Sequence, residues 1–194
     1  MKQEIQDVQQ DHVLLRAPAL NKTSFLLKIT NGLEKITLML NNILHKISSG
    51  LLFFLMLLTT ADVIGRNLFN KPITGTYELT GLALAIIIFF SLGTAQIKGD
   101  HIEIDFLTNK FPEKLQDGLY AFTSFLLFIL VSLTTWQLFE FGKRIWMGHE
   151  TSGDLGLPLY IFVGATVLGA FVFALTYLLH SLKFILKVVH GHES

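Results

Sequence analysis

Residues Arg66–Asp105 read RNLFNKPITGTYELTGLALAIIIFFSLGTAQIKGDHIEID: a polar turn, an uncharged span and a second polar turn. Leu79–Ile97 holds no charged side chain, and about 19 residues is the length an α-helix needs to cross a bilayer core. Charge, Gly and Pro crowd both flanks, so the crossing is sharply bounded and its two turns belong at opposite membrane surfaces.

Composition extends this reading to the whole chain. Of 194 residues, 51% are hydrophobic, 15% are charged and 17 are Phe, and the mean hydropathy is +0.53. A soluble chain of this length would not gather its apolar residues into uninterrupted runs of spanning length. The fold class is therefore an all-α integral membrane protein, with four transmembrane helices preceded by an amphipathic interfacial helix. The chain has no Cys, which excludes disulfides, thiolate metal sites and cysteine nucleophiles. Formal net charge is zero and no basic stripe faces a phosphate backbone, so no nucleic-acid partner is expected.

In chain order, residues 1–24 form a polar cytoplasmic tail without the pattern of a secretory signal. Residues 25–46 form the amphipathic helix: Ile29, Leu33, Ile36, Leu40, Ile43 and Ile47 recur at spacings of four and three, with Lys28, Asn31, Glu34, Lys35, Asn42 and Lys46 opposite. Such a helix can lie in the cytoplasmic interface as an arm, or it can lengthen the first span. Residues 47–182 form the membrane domain, with spans at about 47–65, 79–97, 118–139 and 155–182, and residues 183–194 form a second cytoplasmic tail. Eleven of the 15 Lys and Arg fall in the tails, the arm and the middle loop, leaving Arg66, Lys71, Lys143 and Arg144 on the other side. That imbalance puts both termini in the cytoplasm and turns the segments around Lys71 and His149 outward. Trp146 and Tyr160 suit an interfacial belt, and Glu140 and Arg144 are spaced to pair.

Several side chains stand out within this plan. Asp62 falls inside the first span, where a carboxylate is expensive and usually paired, and Arg66 follows one turn later. In the turn beyond, Pro72 and Gly75 rigidify and tighten the chain, Thr76 is placed to cap the second helix, and Glu78 lies in its first turn, where a carboxylate suits the helix dipole. Arg66 is then positioned to bridge Asp62 and Glu78. Across the span, His101, Glu103 and Asp105 alternate with Ile102, Ile104 and Phe106; an interfacial strand or helix start accounts for that alternation, and no metal site is assigned. Small residues spaced one turn apart (Gly81 and Ala85, Ser91 and Ala95, Ala165 and Gly169, Ala170 and Ala174) permit close helix packing.

The two turns together resemble a known family. Arg66, Phe69, Pro72, Gly75 and Glu78 before the second span, with His101, Ile102 and Asp105 in Gly99-Asp100-His101-Ile102-Glu103-Ile104-Asp105 after it, resemble the small membrane subunit of tripartite ATP-independent periplasmic (TRAP) transporters. The resemblance covers about residues 45–180. It implies a non-catalytic structural subunit of a sodium-coupled importer for an organic acid in the bacterial inner membrane. Its partners would be a large membrane subunit carrying the substrate and sodium sites, a periplasmic substrate-binding protein that docks transiently, and membrane lipid. No cofactor is implied for this chain, and the absence of a phosphate-binding Gly-rich loop is compatible with transport that uses no ATP.

Two other classes remain open at this stage. A four-helix haem or redox subunit would need facing histidines at matching depth, and His45, His101 and His180 all fall near span ends or in loops. A stand-alone transporter or channel would need an intramembrane polar pathway, which the spans do not display.

Overall fold

A computed structural model of the chain describes residues 2–98 and 113–190. Two compact units divide the chain, Met1–Ile36 and Thr37–Ser194. Four long helices occur among the described residues: α1 (Lys2–Phe69), α2 (Thr76–Lys98), α3 (Glu113–Met147) and α4 (Leu159–His190). Each contains a stretch long and apolar enough to cross a membrane: Thr30–Phe69, Thr76–Lys98, Gly118–Met147 and Leu159–Lys183. His101, Ile102, Glu103 and Asp105 lie outside the described residues.

The first unit is helical throughout its described residues and is supplied by α1. In the second unit α4 is the central element, packing on α2 along one side and on α3 along another. Its sequence accounts for this position, because Thr166, Gly169, Ala170, Ala174 and Thr176 are small and buried, and small residues let neighbouring helices come close. At Gly169 a Cβ would lie 2.8 Å from the Phe89 carbonyl oxygen, so the α2 and α4 backbones are in contact there. Two apolar clusters fasten the other side of α2. Leu44, Phe90 and Val172 join α1, α2 and α4, while Leu55, Ala83 and Ile87 join α1 and α2.

The face of α1 that packs inward mixes polar residues with leucines. Within the second unit its inner positions are Thr37, Asn41, Leu44, Ser48, Leu51, Leu55, Leu58 and Asp62, buried or half-buried at alternating spacings of four and three. This row runs one residue behind the apolar stripe read from the sequence. Ile43 and Ile47 in that stripe are exposed and Leu40 is half-buried. This arrangement turns Thr37, Asn41, Ser48 and Asp62 inward while Ile43 and Ile47 face out. Beside lipid it is favourable, because tails accept apolar side chains and a bundle interior can satisfy polar ones. Asn41 already packs on α2 and α4, six residues ahead of the position where the first span was expected to begin.

The helix ends follow local backbone rules. Asn70, just past α1, takes a left-handed conformation (φ 52°), and the Lys71 N–H returns to the Gly65 carbonyl at 3.1 Å. His149 takes the corresponding position after α3 (φ 48°), where its own N–H reaches the Trp146 carbonyl and the Glu150 N–H reaches that of Ile145, closing a Schellman motif. Residues 155–158 belong to the loop and not to the fourth span, because Thr151 and Pro158 form an antiparallel bridge and Gly156 adopts φ 63°.

Candidate functional site

Two sets of polar contacts tie the helices together at opposite ends. The first is a clasp between the α1–α2 turn and the α3–α4 loop. Asp62 is buried, with one carboxylate oxygen accepting the Arg66 guanidinium at 2.6 Å and the other accepting the Ile73 N–H at 2.8 Å. The carboxylate therefore folds the turn back against the helix that carries it. The Arg66 side chain is 67% exposed, so the pair sits at the rim of the helices.

Glu78 reaches elsewhere. Its Oε2 accepts the N–H groups of Asp154 and Leu155 at 3.1 and 3.2 Å, so it holds the α3–α4 loop, and the expected bridge from Arg66 to Glu78 is not formed. Two adjacent backbone amides aimed at one carboxylate oxygen make a better-placed pair of donors than a long, exposed guanidinium. Gly75 completes the clasp: it is buried with φ 80°, and the Leu155 side chain occupies the space where a Cβ would project. Thr76 is not the cap. The Leu79 N–H bonds to the Gly75 carbonyl at 2.9 Å, placing Gly75 at the cap position, and the Thr76 hydroxyl donates back to the Ile73 carbonyl at 3.0 Å.

The α3–α4 loop is itself ordered by Ser152. Its hydroxyl accepts the Leu157 N–H at 2.9 Å while its own N–H donates to the Leu157 carbonyl at 2.8 Å. Beside it, Trp146 and Tyr160 stack with centroids 6.0 Å apart. Glu140 pairs with Lys143 at 2.9 Å and not with Arg144, which lies over the Phe141 ring at 5.8 Å. Phe69 and Pro72 remain exposed on the α1–α2 turn.

The second set is a polar seam near the other ends of α2 and α4. The Asn41 amide donates to the Thr37 carbonyl at 2.9 Å and to the Thr176 hydroxyl at 3.0 Å, while the Thr94 hydroxyl donates to the Asn41 carbonyl at 3.2 Å. Ser48 and Ser91 share a hydrogen bond at 3.0 Å. Closer to the helix ends, the Tyr177 hydroxyl donates to Gln96 at 3.1 Å, and the Gln96 amide lies 3.4 Å from His180 Nδ1. His180 is thus engaged by a neighbouring helix. Gly93 is required here, since a Cβ would run into the Asn41 side-chain oxygen.

Sequence reasoning singled out the clasp residues and missed the seam. Asn41, Ser48, Ser91, Thr94, Gln96, Thr176 and Tyr177 are ordinary residues one at a time. The available signal was the heptad spacing of Thr37, Asn41 and Ser48 beside the apolar stripe, two rows of which only one can face the bundle. Neither set contains a nucleophile with its base, and among the described residues no group of three His, Asp or Glu could hold a metal ion. Both sets fasten helices.

Residues 55–186 match the family described as tripartite ATP-independent periplasmic transporters, DctQ component. The chain belongs to this family. It is the small permease component of the TRAP transporters, a multi-pass membrane protein from a family of transporter components. It is also 30% identical over 99 residues to the sialic acid TRAP transporter permease protein SiaT of Haemophilus influenzae, an alignment covering 51% of this chain and 14% of that relative. The family match takes in the whole clasp, from Asp62 to Leu157, but begins after Asn41 and Ser48, so the α1 side of the seam lies outside it.

Proposed function

We propose that this chain is the scaffold subunit of a sodium-coupled TRAP importer for an organic acid in the bacterial inner membrane, with both termini in the cytoplasm. Substrate and sodium would bind a separate large membrane subunit, supplied with solute by a periplasmic binding protein that docks transiently. The observation carrying the scaffold reading is the double fastening of one helical unit, the Glu78 and Asp62 clasp at one end and the Asn41 seam at the other. Polar groups spent on tying helices together suit a part that keeps its shape while a partner moves. The sign of the Lys and Arg imbalance supports a periplasmic clasp, on the side from which a binding protein would dock. An organic acid fits the name of the Haemophilus influenzae relative, since sialic acid is a carboxylated sugar.

The test is deletion and reconstitution. Vesicles holding the large subunit, supplied with binding protein and a sodium gradient, should accumulate substrate only when this chain is present. Full uptake without the chain would refute the scaffold role, and uptake indifferent to the sodium gradient would refute the coupling.

A further inference from the structure

Gln96 on α2 is held from two sides by α4. The Tyr177 hydroxyl donates to its side-chain oxygen at 3.1 Å, and its side-chain nitrogen lies 3.4 Å from His180 Nδ1. Tyr177 is 7% exposed and its ring meets Phe173 edge-on at 4.9 Å, so the phenol is held in place. Among the described residues Gln96 is its one hydrogen-bond partner. An amide accepts at one end and donates at the other. With its oxygen turned to Tyr177, Gln96 offers only N–H to His180, so Nδ1 is the acceptor and the ring hydrogen sits on Nε2. Turning the amide over would serve an Nδ1–H but strip the Tyr177 hydroxyl of its acceptor, and a buried donor left unpaired is costly.

We infer that Tyr177, Gln96 and His180 form a proton-sensitive latch between α2 and α4, closed while the imidazole is neutral and opened when Nδ1 takes up a proton. Nε2 already carries its hydrogen, so an incoming proton can go only to Nδ1, the atom that faces the Gln96 amide. The imidazolium then sets N–H against N–H. Gln96 must either withdraw from His180 or turn over and abandon Tyr177, and each outcome breaks one of the two bonds that join the helices here. Water can reach the ring, because Gln96 and His180 are half-buried and precede the exposed Lys98 and Lys183 by two and three positions, about 3 and 4.5 Å along their helices. Lys183, one turn along α4, is the charge that acts on the imidazole. On α1 the residues of the second unit at this level, Thr37 and Asn41, are uncharged, and α3 carries no titratable group between Tyr120 and Glu140. No described carboxylate pairs with His180, so the imidazolium gains no ion pair in exchange for the lost hydrogen bond.

The test uses the full chain in bilayer nanodiscs with nitrogen-15-labelled histidine. The His180 signals are those lost in His180→Gln, and at about pH 8 they should show Nδ1 bare and Nε2 protonated. Hydrogen exchange at residues 94–98, taken relative to residues 81–85 of the same helix, should rise at least about fivefold as the sample is acidified through the His180 titration, the weight of one neutral hydrogen bond. His180→Gln keeps an acceptor for the Gln96 amide without a titrating ring, and Gln96→Leu has no tie to break. In both variants the exchange ratio should therefore stay within about twofold over the same range, low in the first and high in the second. A proton on Nδ1 of the neutral ring would overturn the direction of the hydrogen bonds. A flat ratio in the wild-type chain while the ring titrates, or a ring that stays neutral until the chain unfolds, would overturn the latch.

Discussion

Asn41 and Gly93 should behave as a coupled pair. The three atoms nearest to a Cβ at Gly93 all belong to the Asn41 side chain, its oxygen first and then the amide carbon and nitrogen. Asn41 cannot swing aside freely, because it is 3% exposed and its amide is held by Thr37 and Thr176. Gly93→Ala on its own should therefore cost about 1–3 kcal/mol through overpacking. Asn41→Ala removes the three atoms nearest to the new methyl, at the cost of an interhelical hydrogen bond of about 0.6–1.7 kcal/mol and some packing. In that background Gly93→Ala is relieved of its closest contacts, and the gain in helix propensity of about 1 kcal/mol should show as a net stabilisation. The effect of one substitution thus changes sign with the residue at position 41, a coupling of about −2 to −4 kcal/mol. Reversible unfolding in bicelles, by steric trapping or detergent titration, measures all four corners of the cycle. Gly81→Ala is the control: no atom lies within 4 Å of its Cβ position, so it should be neutral or stabilising in both backgrounds. Additivity at positions 41 and 93 to within about 0.5 kcal/mol would refute the contact and with it the seam.

The clasp and the loop beside it make three further predictions. Glu78→Ala should leave the helices assembled but raise hydrogen exchange at the Asp154 and Leu155 amides at least tenfold, with a matching gain in proteolysis at residues 150–157; unchanged protection would show that the carboxylate does not hold the loop. Gly75→Ala should cost at least about 1–2 kcal/mol from the left-handed backbone alone, and Leu155→Ala should recover the steric part of the loss but not the backbone part; full recovery, read from the same unfolding curves, would refute the conformational argument. His149→Gly should stabilise the chain by about 0.5–1 kcal/mol, because His149 is exposed and fills a left-handed position that glycine occupies at lower cost, and a fall in the unfolding midpoint would count against the Schellman geometry.

Much of this architecture was legible in the sequence because lipid imposes few solutions. Four runs without charge gave four helices, and Pro72, Gly75 and the charged flanks of the second span marked its turn. Asp62 and Arg66 were readable as a pair because a carboxylate inside a span must find a partner, and one turn of helix supplies it. Glu78 was misassigned for a reason that lies outside local sequence. Its donors are the amides of Asp154 and Leu155, and neither spacing nor composition announces that a loop 76 residues away will fold over the first turn of α2. The inner row of α1 lies one residue, about 100° of helix, from the apolar stripe and mixes polar residues with leucines, so apolar periodicity alone does not pick it out. Beside water the apolar row turns inward, whereas beside lipid the choice falls to whichever row finds hydrogen-bond partners.

That choice also explains why the two sets of ties differ in kind. At the clasp, backbone amides are free because a turn and a loop leave them unpaired, so one carboxylate can collect two of them. Along the seam the helices have consumed their own amides, and only side chains remain to join α1 to its neighbours. Small hydroxyls bonded back to their own helix, as Thr176 is to Val172 at 3.0 Å, still offer lone pairs to a neighbour. Asn41 exploits this, donating to the Thr176 hydroxyl while Gly93 yields the space for its side chain. Each such tie contributes little alone in a membrane. Placed at the two ends of the same helices, they fix both register and rotation, since turning α1 by one residue would bring Ile43 or Ile47 inward and leave Asn41 and Ser48 facing hydrocarbon.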